Sequence, residues 1–184
     1  MKSQKLLSKE GTALVIIDVQ EKLFPHMAEK EQTAQNVAKL IRFAQIINIP
    51  IVVTEQYPKG LGRTISELGK LLSDIEPIEK VEFNCLGSEE FRDTLARMEV
   101  KTLIIAGIES HICVVQTAID GLANGYEVYV VADAISSRSL GDKAIAVERM
   151  RKVGATIVST EMLIYELLGK AGTPEFKEVL KLVK

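Results

Sequence analysis

Three residues that could act together lie at or near the ends of short apolar runs, far apart in the chain. Asp18 closes the run TALVIID, Lys80 lies in PIEKVEF, and Cys113 follows the run KTLIIAG by six residues. If these runs are strands of one parallel sheet, their carboxyl ends meet at a single edge. A carboxylate, an ammonium and a thiol would then share one site, which is a set of groups suited to nucleophilic catalysis.

Each of these residues also has a purely structural interpretation. Free cysteine usually behaves as a small buried apolar residue, Asp18 could cap a turn, and Lys80 could be solvated in its charged stretch. The position of Cys113 favours function, because the pattern places it in the first turn of a helix, where the helix dipole would lower the pKa of a thiol. A nearby Lys80 ammonium would lower it further. Cys113 also lies off the apolar stripe of that helix, which predicts a thiol at the rim of a pocket.

Polar and aromatic residues near the same strand ends are candidates for the pocket wall. They are Gln20, Phe24, Glu55, Tyr57 and His111. Phe24 and Tyr57 could equally be packing residues, because aromatic side chains serve both purposes. These residues would surround a small-molecule substrate.

Residues of similar chemistry elsewhere receive a structural interpretation. Cys85 lies in the loop FNCLGSEE, with no strand-to-helix turn around it, so it is predicted to be structural or incidental. Asp133 is predicted to end the fifth strand and to organise the loop SSRS that follows. His26 and His111 are isolated and lack the paired spacing of metal ligands, so no metal site is predicted.

The elements that position these residues follow from the alternation of short apolar runs with helical patterns. Strands are predicted over residues 12–18, 51–55, 77–83, 101–107, 126–133 and 155–159. Helices are predicted over residues 31–48, 65–72, 88–99, 110–125, 142–154, 160–168 and 174–184, with a loop over 56–63. Strands rich in Val and Ile, separated by helices, indicate a parallel sheet covered on both faces. We therefore expect a single three-layer α/β/α domain over residues 1–184.

The composition excludes several classes of protein. The chain has 184 residues, is 47% hydrophobic and carries a formal net charge of −2, which is typical of a soluble globular protein. It has no basic excess, so no nucleic-acid partner is expected. The apolar runs are too short to span a membrane, and the N-terminus has no secretory pattern. Two cysteines make no disulfide framework, which favours a cytoplasmic location with free thiols.

Three motifs give the chain a family resemblance along its whole length. They are LVIIDVQEKLFP at 14–25, EKVEF at 79–83 and AGIESHICVVQTA at 106–118. With these motifs the sequence resembles the isochorismatase-like cysteine hydrolases. The resemblance implies a Rossmann-like sheet of six parallel strands, a homo-oligomer, and Asp18, Lys80 and Cys113 as the catalytic set. It also implies a cis peptide bond between Ile108 and Glu109, which would turn the Glu109 N–H toward an oxyanion, beside that of Cys113.

Two departures from relatives of known activity narrow the expected function. Nicotinamidases of this family bind a metal through an Asp-x-His motif after the second strand, whereas this chain has TEQYPKGLG there. No catalytic zinc or other cofactor is therefore expected, and nicotinamidase activity is not predicted. Isochorismatases act on a vinyl ether and need no thiol nucleophile, so Cys113 argues against that substrate.

The resulting hypothesis is a cysteine hydrolase that cleaves a small amide or a related C–N bond. In it, Asp18 takes the thiol proton, Lys80 stabilises the thiolate, and Cys113 forms a thioester. The main alternative is a non-enzymatic oligomeric scaffold or partner-binding protein that retains the three residues. A vinyl ether hydrolase is a further alternative, and thiol–disulfide exchange is disfavoured because the chain has no CxxC motif.

Overall fold

The computed structural model describes residues 6–183, and its centre is a six-stranded sheet. The strands are β1 (Thr12–Ile17), β2 (Ile51–Gln56), β3 (Ile78–Lys80), β4 (Thr102–Ile108), β5 (Glu127–Ser136) and β6 (Thr156–Val158). All strand pairs are parallel, and their order across the sheet is β3–β2–β1–β4–β5–β6. The parallel sheet expected from the Val- and Ile-rich runs is confirmed.

Helices cover both faces of the sheet. They are α1 (Lys30–Ile47), α2 (Pro58–Leu61), α3 (Ser66–Gly69), α4 (Glu89–Arg97), α5 (Val115–Ala123), α6 (Leu140–Lys152), α7 (Thr160–Leu168) and α8 (Pro174–Val183). Helices α1, α3, α7 and α8 pack on one face and α4, α5 and α6 on the other. Side chains of β1 alternate between the two layers, with Leu14 and Ile16 in the first core and Val15 and Ile17 in the second. The three-layer α/β/α architecture is therefore confirmed.

The strand order reverses at the centre of the sheet. The chain runs outward from β1 through β2 to β3, then returns to β4 on the other side of β1 and continues to β5 and β6. Such a reversal leaves a crevice beyond the carboxyl ends of the two central strands, which is where α/β proteins place their ligands. Asp18 directly follows β1 and the motif with Cys113 directly follows β4, so the fold brings both to this crevice.

A glycine lets the two central strands end close together. Gly107 has a φ of +116°, and a Cβ built on it would lie 2.1 Å from the carbonyl oxygen of Ile17. No other residue fits at that distance. The close approach places the backbone of β4 directly against the end of β1, one residue before Asp18.

Four details differ from the sequence-based expectations. Strand β3 ends at Lys80 rather than at residue 83, because the chain bends there and the Lys80 Nζ turns back to the carbonyl of Glu82. The expected loop over 56–63 contains the one-turn helix α2. The helix expected over 110–125 begins as a π-helical turn, Ser110–Val114, before α5.

The fourth difference concerns Asp133. Strand β5 continues past it to Ser136, because the pairing with β4 shifts register between Ile105 and Gly107. Asp133 does not organise the SSRS loop; its carboxylate accepts hydrogen bonds from the backbone N–H and the hydroxyl of Thr160, at 2.8 and 2.9 Å. It therefore fixes the start of α7. Lys184 and residues 1–5, which include part of the expected last helix and the N-terminus, lie outside the described residues.

No helix within residues 6–183 is long and apolar enough to cross a membrane.

Candidate active site

Asp18 and Lys80 form a fully buried ion pair at the carboxyl edge of the sheet. Lys80 Nζ lies 2.7 Å from Asp18 Oδ2, and both side chains have no solvent exposure. Burial alone would lower the pKa of the Lys80 ammonium, but the neighbouring Cys85, Asp18 and Cys113 groups raise it above its ordinary value. Lys80 is therefore charged at neutral pH, and the solvated alternative for this residue is wrong.

Two side chains from outside the three motifs complete the surroundings of this pair. The hydroxyl of Thr54 donates to Asp18 Oδ1 at 2.7 Å, so each oxygen of the carboxylate has one donor. The Lys80 ammonium also donates to Gln56 Oε1 at 2.8 Å and to the carbonyl of Glu82 at 3.2 Å, which uses all three of its N–H bonds. Thr54 and Gln56 come from β2, between the strands that carry the ion pair.

Cys113 faces the Asp18 carboxylate from the π-helical turn. The turn is closed by a hydrogen bond from the Val114 N–H to the Glu109 carbonyl, at 3.2 Å, and π turns of this kind often occur at functional sites. Cys113 is only 6% exposed, so the predicted place at the rim of a pocket is wrong. Cys113 belongs to the apolar core that lies beneath α4, α5 and α6.

The predicted lowering of the Cys113 pKa is also wrong. Burial raises the pKa of this thiol well above its ordinary value, and the negative charge of Asp18 raises it further, although the Lys80 ammonium opposes the shift. A buried thiol has little water to stabilise its charged form, and this outweighs the dipole of the helix. The resting residue is a neutral thiol beside a carboxylate that can accept its proton.

Cys85 lies beside the site rather than apart from it. Its side chain is fully buried, and its Sγ lies 3.9 Å from the Thr54 Oγ1, whose own proton goes to Asp18. Burial raises the pKa of the Cys85 thiol to about 11, and the Asp18 charge adds to this increase. The structural part of its predicted role stands, but the short helical turn Cys85–Gly87 brings it next to the Asp18 cluster, by which we mean Asp18, Thr54, Gln56, Lys80 and Cys113.

The peptide bond between Ile108 and Glu109 is cis, at the position that the family resemblance implied. The Glu109 carbonyl accepts the N–H groups of Ile112 and Val114, at 3.1 and 3.2 Å. Its carboxylate is buried and pairs with Arg138 Nε at 3.1 Å. Glu109 thus supports the turn of Cys113 with its backbone and holds Arg138 with its side chain.

Gln20 and Glu55, two of the predicted pocket residues, hold a loop of the site. The Gln20 amide exchanges hydrogen bonds with both backbone groups of Gln56 and donates to the Gly62 carbonyl at 2.7 Å. Glu55 accepts from the backbone and hydroxyl of Thr64 and from Arg63. These bonds anchor the loop between β2 and α3, and direct contact of either residue with a substrate stays a prediction.

The other three predicted pocket residues are spread around the site. Tyr57 is 54% exposed and lines a cleft that also reaches Lys80. Phe24 packs against the core that contains α1, which is the packing alternative considered for it. His111 is partly buried, and its Nδ1 lies 2.9 Å from the hydroxyl of Ser137. The pocket role of these residues also stays a prediction.

Two openings lie near the carboxyl edge of the sheet. The first, which we call the acidic cleft, has a volume of about 1150 Å³ and is lined by Tyr57, Pro58, Lys59, Glu79, Lys80, Val81, Glu82, Ser88, Glu89, Glu90, Asp93, Ala96 and Arg97. The second, which we call the Arg138 depression, has a volume of about 600 Å³ and is lined by Leu23, His26, Met27, Glu109 and Arg138. Lys80 borders the first opening and Glu109 the second, and the lining residues of these two openings include neither Asp18 nor Cys113. Within residues 6–183, no three or more His, Cys, Asp or Glu side chains are grouped so as to hold a metal ion.

Known proteins are similar to this chain over nearly its whole length. The mouse isochorismatase domain-containing protein 2A is 38% identical over 175 residues, which cover 95% of this chain and 84% of that protein. The structure of the MAR1 ribonuclease from Caenorhabditis elegans is 39% identical and superposes with a TM-score of 0.90 over 97% of this chain and 92% of that one. The Escherichia coli YcaC protein, described as an octameric hydrolase of unknown specificity, has the same fold at 24% identity, with a TM-score of 0.92 over 99% of this chain and 92% of that one.

One protein-family model matches most of the chain. The model of the isochorismatase domain matches residues 12–162, which include β1 through β6 and all the residues of the cluster. Together with relatives that are similar over nearly their whole length, this match shows that the chain belongs to the isochorismatase family, which supports a hydrolase-type function.

Proposed function

We propose that this protein is a cysteine hydrolase that cleaves a small amide or a related C–N bond. The observation that carries the proposal is the buried Asp18–Lys80 pair, 2.7 Å apart, which faces the Cys113 thiol. A buried ion pair is costly to maintain, since both charges lose their hydration. Perturbed titratable groups of this kind collect at functional sites, here beside the nucleophilic sulfur.

The chemistry begins from the neutral thiol. Asp18 takes the Cys113 proton as the sulfur attacks the carbonyl carbon, and the Lys80 ammonium offsets the negative charge that develops on the sulfur. We assign the N–H groups of Glu109 and Cys113 to the oxyanion of the tetrahedral intermediate. The C–N bond then breaks, the amine leaves with the proton from Asp18, and a thioester remains.

Water completes the cycle. Asp18, again a carboxylate, accepts a proton from the water that attacks the thioester, and the acid is released as the thiol forms again. Lys80 keeps its proton throughout, because its raised pKa favours the ammonium. The chain's own residues therefore supply every proton transfer, and the proposal includes no cofactor.

A screen of primary amides and ureides for ammonia release tests this function. Cys113→Ala should abolish turnover, and Asp18→Asn, which keeps the size of the side chain but cannot accept the proton, should reduce it by a factor of about 10²–10⁴. Turnover that survives in Cys113→Ala would contradict the nucleophile. Silence across amides, ureides and vinyl ethers would favour the scaffold or partner-binding alternative.

Cleavage of RNA is the function named for the C. elegans relative, and the charges of this chain argue against it here. The acidic cleft carries five carboxylates against three basic side chains, one of which is the buried Lys80, and the whole chain has a net charge of −2. Binding to a phosphate backbone depends on basic groups that displace counterions. A single-stranded RNA incubated with the wild type should stay intact under conditions in which an amide is hydrolysed.

The proposal extends to the state of the protein in the cell. We propose a homo-oligomer, as the family resemblance implies, with the exposed apolar side chains of Val81 and Phe83, at 69% and 54% exposure, as candidate interface residues. Light scattering should then report a multiple of the 20.3 kDa chain mass. We also propose a cytoplasmic location, where the free Cys85 and Cys113 thiols would stay reduced.

A further inference from the structure

Cys85 is a buried thiol that the proposed mechanism does not use. Its side chain has no solvent exposure, and its Sγ lies 3.9 Å from the Oγ1 of Thr54. That hydroxyl oxygen in turn lies 2.7 Å from Asp18 Oδ1. One hydroxyl group therefore contacts both the unused thiol and the carboxylate that is proposed to act as the base.

The number of protons along this line of atoms fixes the direction of both hydrogen bonds. A hydroxyl group has a single proton and a carboxylate can only accept, so the Thr54 proton goes to Asp18. The contact between Cys85 and Thr54 must then run from the sulfur to the hydroxyl oxygen. The Cys85 thiol holds the proton that this bond needs, because burial raises its pKa to about 11.

Two hydrogen bonds hold the turn of Cys85 on the helix that follows Cys113. The backbone N–H of Cys85 donates to Thr117 Oγ1 at 3.0 Å, and Asn84 Nδ2 donates to Asp120 Oδ2 at 2.7 Å. Both acceptors belong to α5, which continues directly from the π-helical turn of the nucleophile. The position of the Cys85 sulfur is therefore fixed by the same helix that positions the Cys113 thiol.

We propose that Cys85 is a positioning residue, whose S–H group donates to Thr54 and thereby keeps the Thr54 hydroxyl directed at Asp18. This inference rests on the proposed amide hydrolysis, in which Asp18 takes the Cys113 proton. A hydroxyl group that accepts a hydrogen bond becomes a stronger donor, so Cys85 strengthens the bond that orients the carboxylate. Cys85 keeps its own proton throughout the reaction and forms no bond to the substrate.

A double-mutant cycle on an active amide tests this role. Cys85→Ala should lower kcat roughly 2- to 5-fold and leave KM unchanged, which is the effect expected from the loss of one weak hydrogen bond. In a Thr54→Val background the same substitution should leave kcat unchanged, because Cys85 acts only through the hydroxyl. Leu86→Val, which shortens the next core side chain of the same turn, should keep the kcat of the wild type. Equal losses from Cys85→Ala in both backgrounds, or no loss in either, would overturn the proposal.

Infrared spectroscopy tests the hydrogen bond without any substrate. The chain has two cysteines, so in Cys113→Ala the single S–H stretching band belongs to Cys85. Donating a hydrogen bond lowers the frequency of this band, so adding Thr54→Val should move it to higher frequency, whereas adding Leu86→Val should not move it. A band that stays in place with Thr54→Val would overturn the inference and leave the hydrolase intact. If the wild type hydrolyses no amide, the proposed function fails, and the band alone decides whether Cys85 donates to Thr54.

Discussion

Thr54 holds the carboxylate oxygen of Asp18 that Lys80 leaves free. We predict that Thr54→Val, which keeps the shape but loses the 2.7 Å hydrogen bond, lowers kcat by about 10-fold and leaves KM unchanged, because Asp18 is no longer held toward the thiol. Steady-state kinetics on an active amide measure both constants. Thr54→Ser keeps the hydroxyl and should behave like the wild type. A loss in Thr54→Ser with none in Thr54→Val would mean that packing by the methyl group, rather than the hydrogen bond, is what matters.

The raised pKa of Cys113 makes its reactivity depend on pH in a defined direction. The thiol is protonated below its pKa, so alkylation by iodoacetamide should be slow at pH 7 and should rise steadily to pH 10 without a plateau. Intact-mass spectrometry on a Cys85→Ala background follows this one residue. A plateau below pH 8 would show instead that the resting group is a thiolate.

Asp18 should influence alkylation and hydrolysis in opposite directions. Its charge raises the pKa of Cys113, so Asp18→Asn lowers that pKa and should speed alkylation at pH 7, while the loss of the base should slow amide hydrolysis by a factor of about 10²–10⁴. Measuring both rates on the same preparation makes the comparison. A decrease in both rates would indicate that Asp18→Asn disturbs the site as a whole.

At the scale of elements, Gly107 sets how closely β4 can approach β1. We predict that Gly107→Ala lowers the free energy of unfolding by about 4 kcal/mol or more, because its Cβ would lie 2.1 Å from a backbone atom that cannot move aside. Gly125→Ala is the matched control, since Gly125 also has a positive φ but faces open space, and it should cost only about 1–2 kcal/mol. Urea unfolding measures both. Similar costs in the two variants would contradict the role given to the close approach.

The positions of the strands could be predicted from local patterns, but several of their ends could not. Runs of Val and Ile identify β1, β2 and β4 because a strand buried on both faces needs apolar residues on both sides. The end of β3 at Lys80 depends on the bond from its ammonium to Glu82, and the length of β5 depends on a register shift against β4. Neither a side-chain hydrogen bond nor a shift in strand pairing can be read from the local alternation of apolar and polar residues.

At the scale of the whole molecule, burial of thiols links stability to pH. Folding raises the pKa of Cys85 from 9.0 to about 11, so the folded state keeps a proton that the unfolded state loses above pH 9. The free energy of unfolding should therefore fall between pH 9 and 11, by up to about 3 kcal/mol from this group. Urea unfolding at pH 8.5 and 10.5 should show a smaller fall in Cys85→Ala than in the wild type. Equal falls would place the pH dependence in other groups.

The cluster around Asp18 shows which features the sequence could not predict. Asp18, Lys80 and Cys113 stand in motifs, and the rule of strand ends was enough to bring them together. Thr54 joins the cluster and Cys85 lies next to it through contacts over 36 and 31 residues, in segments whose patterns look like ordinary strand and loop. Burial of the thiol likewise depends on how α5 packs on the sheet. Long-range packing, and not residue type, decided these features.

The order of strands also has a consequence for the growing chain during synthesis. Strand β1 is buried on both faces in the finished sheet, with β2 on one side and β4 on the other. Until residues 102–108 leave the ribosome, β1 can pair only with β2, and its other edge stays open to any passing strand. Nascent chains and fragments that stop before β4 contain Asp18 and Lys80 but lack Cys113, and they leave this apolar edge of β1 unpaired. Chaperones that shield strand edges would therefore matter most before β4 emerges, and Cys113 can reach Asp18 and Lys80 only when that edge closes.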